Sequence, residues 1–320
     1  MNVLVTSAGR RVTLVQLFLA AAHQRGGSVF AGDMDALAPA LSVADSAFRL
    51  PPISSPGYLS TILGLVEEHD VRAIVPTIDT ELDILAEHQA ELADHGCTAV
   101  VSSRQLIGIC GDKKLTHEAF SAAGVAVPRT WLPGDCLESD LPEELVVKPR
   151  EGSASQDVFF LGRGDVASIL GRVKDPVIQE RIRGDEITID ALLDLSGHLL
   201  HYVPRRRIRT LAGESIQGVT IQDHELRPWL EEVFRVIGCL GGIGPMTVQA
   251  FVTEGGLVLG EVNPRFGGGF PLAYAAGGLY PQWLLGLLSG ERMTPRLGEY
   301  QVGLYMSRYN TETFLRQLPW

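Results

Sequence analysis

The chain has 320 residues with an ordinary apolar share, so its length allows two or three domains, each with its own core. Its 38 acidic against 27 basic residues give a net charge of −11, which argues against a nucleic-acid partner, since that needs a basic face. The cysteines Cys97, Cys110, Cys136 and Cys239 form no CxxC pair and read as reduced thiols. With no apolar run of about 18 residues and no signal-like N-terminus, a soluble, cytoplasmic chain without a membrane partner is expected.

Residues 2–6 are an apolar strand, and Ser7-Ala8-Gly9 turns it into a helix over 11–25. Strands over 28–31, 71–75 and 98–101 alternate with helices over 58–69 and 81–95. That alternation predicts a parallel sheet covered on both faces, with ligands beyond the carboxyl ends of its strands. The polar residues there are Ser7, Arg10, Asp33, Thr77, Asp79 and Glu81. The turn holds one glycine, so the GxGxxG dinucleotide fingerprint is missing. Asp79 and Glu81 precede a helix, where they either cap it and complement its dipole or hold a substrate ammonium group.

Asp112 is a good N-cap for a helix that ends at Gly124, a C-cap glycine. Lys113 and Lys114 in its first turn oppose the macrodipole, a local conflict of the kind found at functional sites. Residues 145–149, LVVKP, form a strand carrying Lys148, which needs an anion if it faces inward. The small residues Gly152, Ser153, Ala154 and Ser155 follow, in a loop able to bring backbone N–H groups to phosphate, although the order of a Walker A loop is absent. Strands over 176–180, 187–193 and 201–208 come next, the last carrying Arg205, Arg206 and Arg207, with Arg209 after it. Regular alternation puts Arg205, Arg207 and Arg209 on one face, either a solvated edge or a seat for an anion. A helix covers 226–237 and a short one 281–288.

The stretch from Gln249 to Gly269 carries the most chemistry. Strands over 246–253 and 257–262, joined by Glu254-Gly255-Gly256, make a hairpin with Gln249 on its first strand and Glu261 near the end of its second. Asn263 points the same way as Glu261, Pro264 stops the strand, and Arg265 precedes three glycines after Phe266. Such oxygen donors suit Mg²⁺ held against phosphate, with Mn²⁺ as a substitute, and arginine forks onto phosphate or carboxylate. The plain alternative is a polar hairpin ended by proline.

Taken in order, Asp112-Lys113, Val146-Val147-Lys148-Pro149, the 152–155 loop, Gln179-Glu180-x-Ile182-x-Gly184-x-Glu186 and Gln249…Glu261-x-Asn263-Pro264-Arg265 resemble an ATP-grasp enzyme over about 107–270. The likeness is to one half of the carbamoyl phosphate synthase large chain and to small stand-alone carboxylate–amine ligases. The resemblance implies an α/β fold: a pre-ATP-grasp parallel-sheet domain over 1–106, then an ATP-grasp domain over 107–320, two α+β subdomains clasping ATP with a lid at about 115–182. It implies that Lys113 and Lys148 contact the ATP phosphates under a loop including Ser153, Ala154 and Ser155. Glu180 and Ile182 meet adenine with Gln179 nearby, and Glu186 takes the ribose. Gln249, Glu261 and Asn263 bind Mg²⁺, and Arg265 steadies the transferred phosphoryl group. Arg207 remains for the acid substrate, because a second positive group is needed to hold a carboxylate.

The activity implied is ADP-forming amide ligation of a small carboxylate and an amine through an acyl phosphate. Two departures matter: Phe266-Gly267-Gly268-Gly269 replaces the second arginine of the synthase motif, and only one grasp unit is present. Making carbamoyl phosphate is therefore not expected; the alternative is a nucleotide-binding subunit of a split synthase-like complex that needs a partner chain. A homodimer is left open.

Overall fold

A computed structural model describes residues 1–135, 137–152, 157–211 and 214–320; Cys136, Ser153, Ala154 and Ser155 lie outside these. The first unit is a five-stranded parallel sheet in the order β3-β2-β1-β4-β5, from β1 (Asn2–Thr6), β2 (Val29–Asp33), β3 (Ser46–Arg49), β4 (Val71–Pro76) and β5 (Thr98–Ala99). Helices α1 (Val12–His23), α2 (Tyr58–His69), α3 (Leu82–Glu87) and α4 (Gln89–Asp94) connect the strands. Strand alternation decides what lies where: Val3 and Val5 pack on Leu14, Val15 and Phe18 of α1, while Leu4 and Ile74 pack on Tyr58, Ile62 and Val66 of α2.

Two details depart from expectation. Strand β3, Ser-Ala-Phe-Arg, has no apolar run to announce it and is held by pairing to β2. The helix read over 81–95 is two, because His88 sits at φ −105°, ψ 19°, outside helical geometry.

Helices α5 (Arg104–Gly111) and α6 (Lys113–Ala122) follow, hinged at Asp112, whose carboxylate accepts from the amides of Lys114 (2.8 Å) and Leu115 (3.1 Å). Gly124, just past the end of α6, adopts φ +82°, and Val125 N–H returns to Phe120 O, closing the helix as a C-terminal glycine does. A small antiparallel sheet comes next, in the order β6-β9-β7-β8, from β6 (Thr130–Trp131), β7 (Glu144–Pro149), β8 (Phe159–Gly162) and β9 (Pro176–Glu180). Helix α7 (Val166–Leu170) covers it, burying Leu145, Val147, Val166 and Ile178 together.

The largest unit is a six-stranded antiparallel sheet in the order β14-β13-β10-β11-β12-β15. Its strands are β10 (Asp185–Leu193), β11 (Leu199–Leu211), β12 (Glu214–Thr220), β13 (Gly244–Thr253), β14 (Gly256–Asn263) and β15 (Tyr305–Ser307). One face, with Ile187, Ile189, Tyr202, Val248 and Ala250, packs on Leu230, Val233, Phe234 and Ile237 of α8 (Arg227–Cys239). On the other face Leu192 and Val203 join α9 (Phe270–Ala275), α10 (Tyr280–Leu288) and α1 in one core that runs into the parallel-sheet unit. The expected α/β plan, a parallel-sheet domain followed by antiparallel α+β units, is what the structure shows.

A β-bulge corrects the reading of the arginine strand. Arg205 pairs with Thr220 and Arg207 with Gly218, but Arg209 pairs with Gln217, leaving Ile208 as the extra residue. The extra residue shifts the alternation, so Arg209 leaves the face that Arg205 and Arg207 share.

Candidate functional site

The polar residues singled out in the sequence converge where three elements meet: the start of α6, the end of β7 and the hairpin β13–β14. In the hairpin Gln249 lies directly across from Glu261 and Thr247 across from Asn263. A bulge at Gly260 keeps Glu261 in this register, and a Cβ at Gly260 would come 3.1 Å from the Phe251 ring. Three oxygen-bearing side chains thus share one end of a two-stranded ladder.

Lys113, Lys148, Gln179, Gly152 and Glu261 line one cleft between the small sheet and the hairpin, together with Cys110 and Leu259. Lys113 donates to the carbonyls of Arg150 (3.3 Å) and Gly152 (3.1 Å), which ties the start of α6 to the residues after Lys148. Asp112 accepts from Arg150 Nε at 2.7 Å; burial pushes its carboxyl up, but Arg150 and the capping amides more than offset this and hold it below the usual range. Desolvation lowers the Lys113 ammonium, and Glu261 pulls it back. Desolvation brings Lys148 down to about 8, with repulsion from Lys113 adding to the fall and Glu261 opposing it. Two lysines held away from bulk water, repelling each other and sharing Glu261, form a cationic pair of the kind a polyphosphate neutralises. The cleft encloses about 40 Å³, room for a water or so and far below the ≈ 300 Å³ of a small-molecule site. The cleft as it stands does not enclose a ligand of nucleotide size.

A second group lies on the same face of the large sheet. Arg207 makes an ion pair with Glu186, and its Nη2 is 3.4 Å from Gln249 Oε1. Burial lowers the Arg207 guanidinium from its ordinary value while Glu261 raises it, so it senses both groups. Arg207 and Glu186 line a groove of about 230 Å³ with Asp185, Arg206 and Arg209. The two groups are joined by Gln249, which faces Glu261 on one side and Arg207 on the other.

At the far end of the ladder Arg265 Nη2 bonds Asn263 Oδ1 at 3.0 Å and Asp79 Oδ2 at 2.5 Å, reaching from the hairpin to the loop after β4. Asp79 thus spends its carboxylate on Arg265. Glu81 is fully buried, bonded by the Tyr58 hydroxyl, and burial raises its carboxyl to about 7; it does not line the cleft.

Gln179 is buried and bonds Thr130 Oγ1 at 2.9 Å. Glu180 and Ile182 follow at the exit of β9 and are not among the cleft residues; the Glu180 carboxylate lies 3.0 Å from Arg129 Nε and its amide donates to Arg129 O. Ser153, Ala154 and Ser155 lie outside the described residues. Among the described residues no three His, Cys, Asp or Glu side chains cluster as a metal site, and the hairpin set holds one carboxylate and two amides. Mg²⁺ accepts so sparse a set when phosphate and water complete it, so the residues present fit that ion. No helix among the described residues is long and apolar enough to cross a membrane.

Sequence reasoning missed two features. Asp190 and Arg205 form an ion pair (2.8 Å) in which both residues are 2 % exposed; its one signal was a lone acid inside the apolar run Ile-Thr-Ile-Asp-Ala-Leu-Leu. Arg308, just past β15, reaches the carbonyl of Gly268, and nothing in its local sequence announced it.

Comparison with known proteins adds a family. Residues 110–269 match the ATP-grasp domain and residues 3–100 match the PylC-like N-terminal domain. The formate-dependent phosphoribosylglycinamide formyltransferase of Synechococcus sp. (strain RCC307) is 24% identical over 263 residues, 77% of this chain; the match spans 65% of that protein, just under two thirds of its length. The biotin carboxylase domain of Hydrogenobacter thermophilus 2-oxoglutarate carboxylase, crystallised as a dimer with MgADP, ADP and bicarbonate, superposes with a TM-score of 0.75 at 17% identity, over 95% of this chain and 73% of that one. The N5-carboxyaminoimidazole synthetase of Staphylococcus aureus with ADP superposes with a TM-score of 0.74 at 14% identity, over 94% and 79%. At such identities the superpositions speak for the fold.

Proposed function

The chain belongs to the ATP-grasp family, and on that premise we propose that it is an ADP-forming ligase that joins a small carboxylic acid to an amine through an acyl phosphate. The observation that carries this reading is the convergence of Lys113 and Lys148, both depressed from their ordinary values, on Glu261 in a single cleft. Support comes also from the relatives' names and contents: one uses formate, and another was crystallised with bicarbonate and MgADP.

In this reading Lys113 and Lys148 neutralise the ATP phosphates, a role that needs position and charge rather than covalent chemistry. Glu186 accepts from the ribose hydroxyls, and adenine meets backbone groups of Glu180 and Ile182 with Gln179 nearby. Gln249, Glu261 and Asn263 would hold Mg²⁺, which when bound supplies charge neutralisation between the phosphates. Arg265 steadies the phosphoryl group in transit and Arg207 orients the acid. A carboxylate oxygen attacks the γ-phosphorus, and the bond from that phosphorus to the ADP oxygen breaks. The amine nitrogen then attacks the acyl carbon, the C–O bond to phosphate breaks, and nitrogen sheds a proton. An acyl phosphate hydrolyses in water, so the small sheet, within about 115–182, closes as a lid.

The test is ADP release by the purified chain against panels of acids and amines. Release that needs one acid and one amine together supports ligation. Release that needs bicarbonate and ammonia, or appears only with an added partner chain, points instead to the split synthase-like subunit.

A further inference from the structure

The glycine triplet after Arg265 is surrounded by arginines. A Cβ on Gly269 would fall 2.3 Å from the Arg205 guanidinium carbon, and one on Gly267 would fall 2.6 Å from Thr247 Oγ1 and 3.1 Å from Asp190 Oδ1. Arg205 therefore lies flat against the backbone of Gly269, in the space any other residue would fill. Asp190 takes its Nε at 2.8 Å, while its Nη1 is buried with no hydrogen-bond partner. A buried N–H without an acceptor is costly, and the ones that persist ask for an explanation.

Arg308 comes to the same loop from the opposite direction. Strand β15 pairs with β12, Met306 across from Gly218 and Ser307 across from Gln217. Arg308 N–H then donates to Ile216 O at 2.9 Å, which extends the ladder by one residue. Alternation puts Arg308 on the face of Met306, Gly218 and Thr220, the face that carries Arg205 and Arg207. Its Nη2 donates to Gly268 O. Two guanidiniums thus rest on consecutive residues of a loop without side chains, three residues beyond Arg265. In a chain of net charge −11 two guanidiniums, one of them already paired with Asp190, meet bare backbone.

We infer that Arg308, with Arg205 and the Gly267–Gly269 backbone, forms an oxyanion seat that receives the carboxylate of the acid substrate and, after transfer, the phosphate of its acyl phosphate. The inference rests on the ligase reading and assigns a substrate role to the segment beyond residue 300. Arg205, fixed by Asp190, supplies the immobile charge, and its unpartnered Nη1 gains an acceptor when an oxyanion arrives. Arg308, on an edge strand, supplies a fork that trades the Gly268 carbonyl for the ligand.

The test uses the full chain loaded with MgADP and titrated with inorganic phosphate by calorimetry, beside separate titrations with MgADP and with a non-hydrolysable MgATP analogue. Arg308→Ala should weaken phosphate binding at least about tenfold, the size of one lost charge-assisted hydrogen bond. Arg308→Lys should recover part of that loss, and both nucleotide affinities should stay within about twofold. Gly269→Ala, which displaces Arg205, should weaken phosphate in the same way in a chain whose thermal midpoint shows it folded. Phosphate affinity unmoved by Arg308→Ala overturns the inference. So does a parallel loss of all three ligands, which makes Arg308 a structural strap, or a loss for the MgATP analogue as large as for phosphate, which hands it to the nucleotide. Failure of the wild-type chain to bind MgADP at all overturns the ligase reading instead.

Discussion

Asp79 and Arg265, 186 residues apart, meet at 2.5 Å and tie the carboxyl end of β4 to the hairpin that carries Glu261 and Asn263. Arg265 is mostly buried and Asp79 about a third exposed, so solvent screens the pair and its contribution to stability is at most about 1 kcal/mol. Its importance lies in where it holds a guanidinium. Asp79→Asn should lower kcat about tenfold, the size of one misplaced charged contact, and leave the thermal midpoint nearly unchanged. A large fall in the midpoint with unchanged kcat would make the pair a domain clamp only.

Glu261 is the carboxylate that both cleft lysines feel, and it faces Gln249 across the ladder. Glu261→Ala should reduce Mg²⁺-dependent turnover by at least about a hundredfold in a folded chain, measured as ADP release. Near-normal turnover in a folded variant removes the metal assignment from Gln249, Glu261 and Asn263.

Lys148 gives a pH signature. Its ammonium is brought down to about 8 mainly by desolvation, whereas in the unfolded chain it holds its proton to about 10.4. Between those values the unfolded state binds more protons, so the ligand-free fold should gain stability as pH rises through that window. Nucleotide binding runs the other way, because phosphate prefers the ammonium. MgADP affinity should fall as pH rises past about 8, approaching tenfold per unit, and Lys148→Met should flatten the profile. A profile equally steep in Lys148→Met assigns the titration elsewhere.

Glu186 and Arg207 are an ion pair in the ligand-free structure, yet they are proposed for different ligands. Separate substitutions tell the two roles apart. Glu186→Ala should weaken ATP binding by about 1–3 kcal/mol, the range for hydrogen bonds to charged groups. Arg207→Ala should raise the KM of the acid while ATP affinity stays close to wild type. If Arg207→Ala costs ATP affinity and leaves the acid untouched, Arg207 belongs to the triphosphate.

Much of this site was legible in the sequence because its parts are local. The two-residue turn at Glu254-Gly255 announces the hairpin that brings Gln249 and Glu261 together, although the bulge at Gly260 that completes their pairing does not show in the sequence, and Asp112 announces α6 by capping it. What stayed hidden depends on long-range contact. The Arg265–Asp79 bond, the Arg205–Asp190 pair and the approach of Arg308 to Gly268 each join segments that no local pattern relates. The bulge at Ile208 was equally silent, since an extra residue in a polar strand leaves no periodicity to break, and it moved Arg209 off the face that alternation gave it. Strand β3 escaped because pairing to β2, rather than its own composition, makes it a strand.

The formation of an acyl phosphate is tested most directly by following oxygen. The acid that supports ADP release is labelled with ¹⁸O in its carboxylate, and the phosphate released during amide formation is analysed by mass. Transfer of one carboxylate oxygen into phosphate is the expected result, since that oxygen attacks the γ-phosphorus and leaves with it when the amine displaces phosphate. Unlabelled phosphate, released at the same rate as amide, would contradict it.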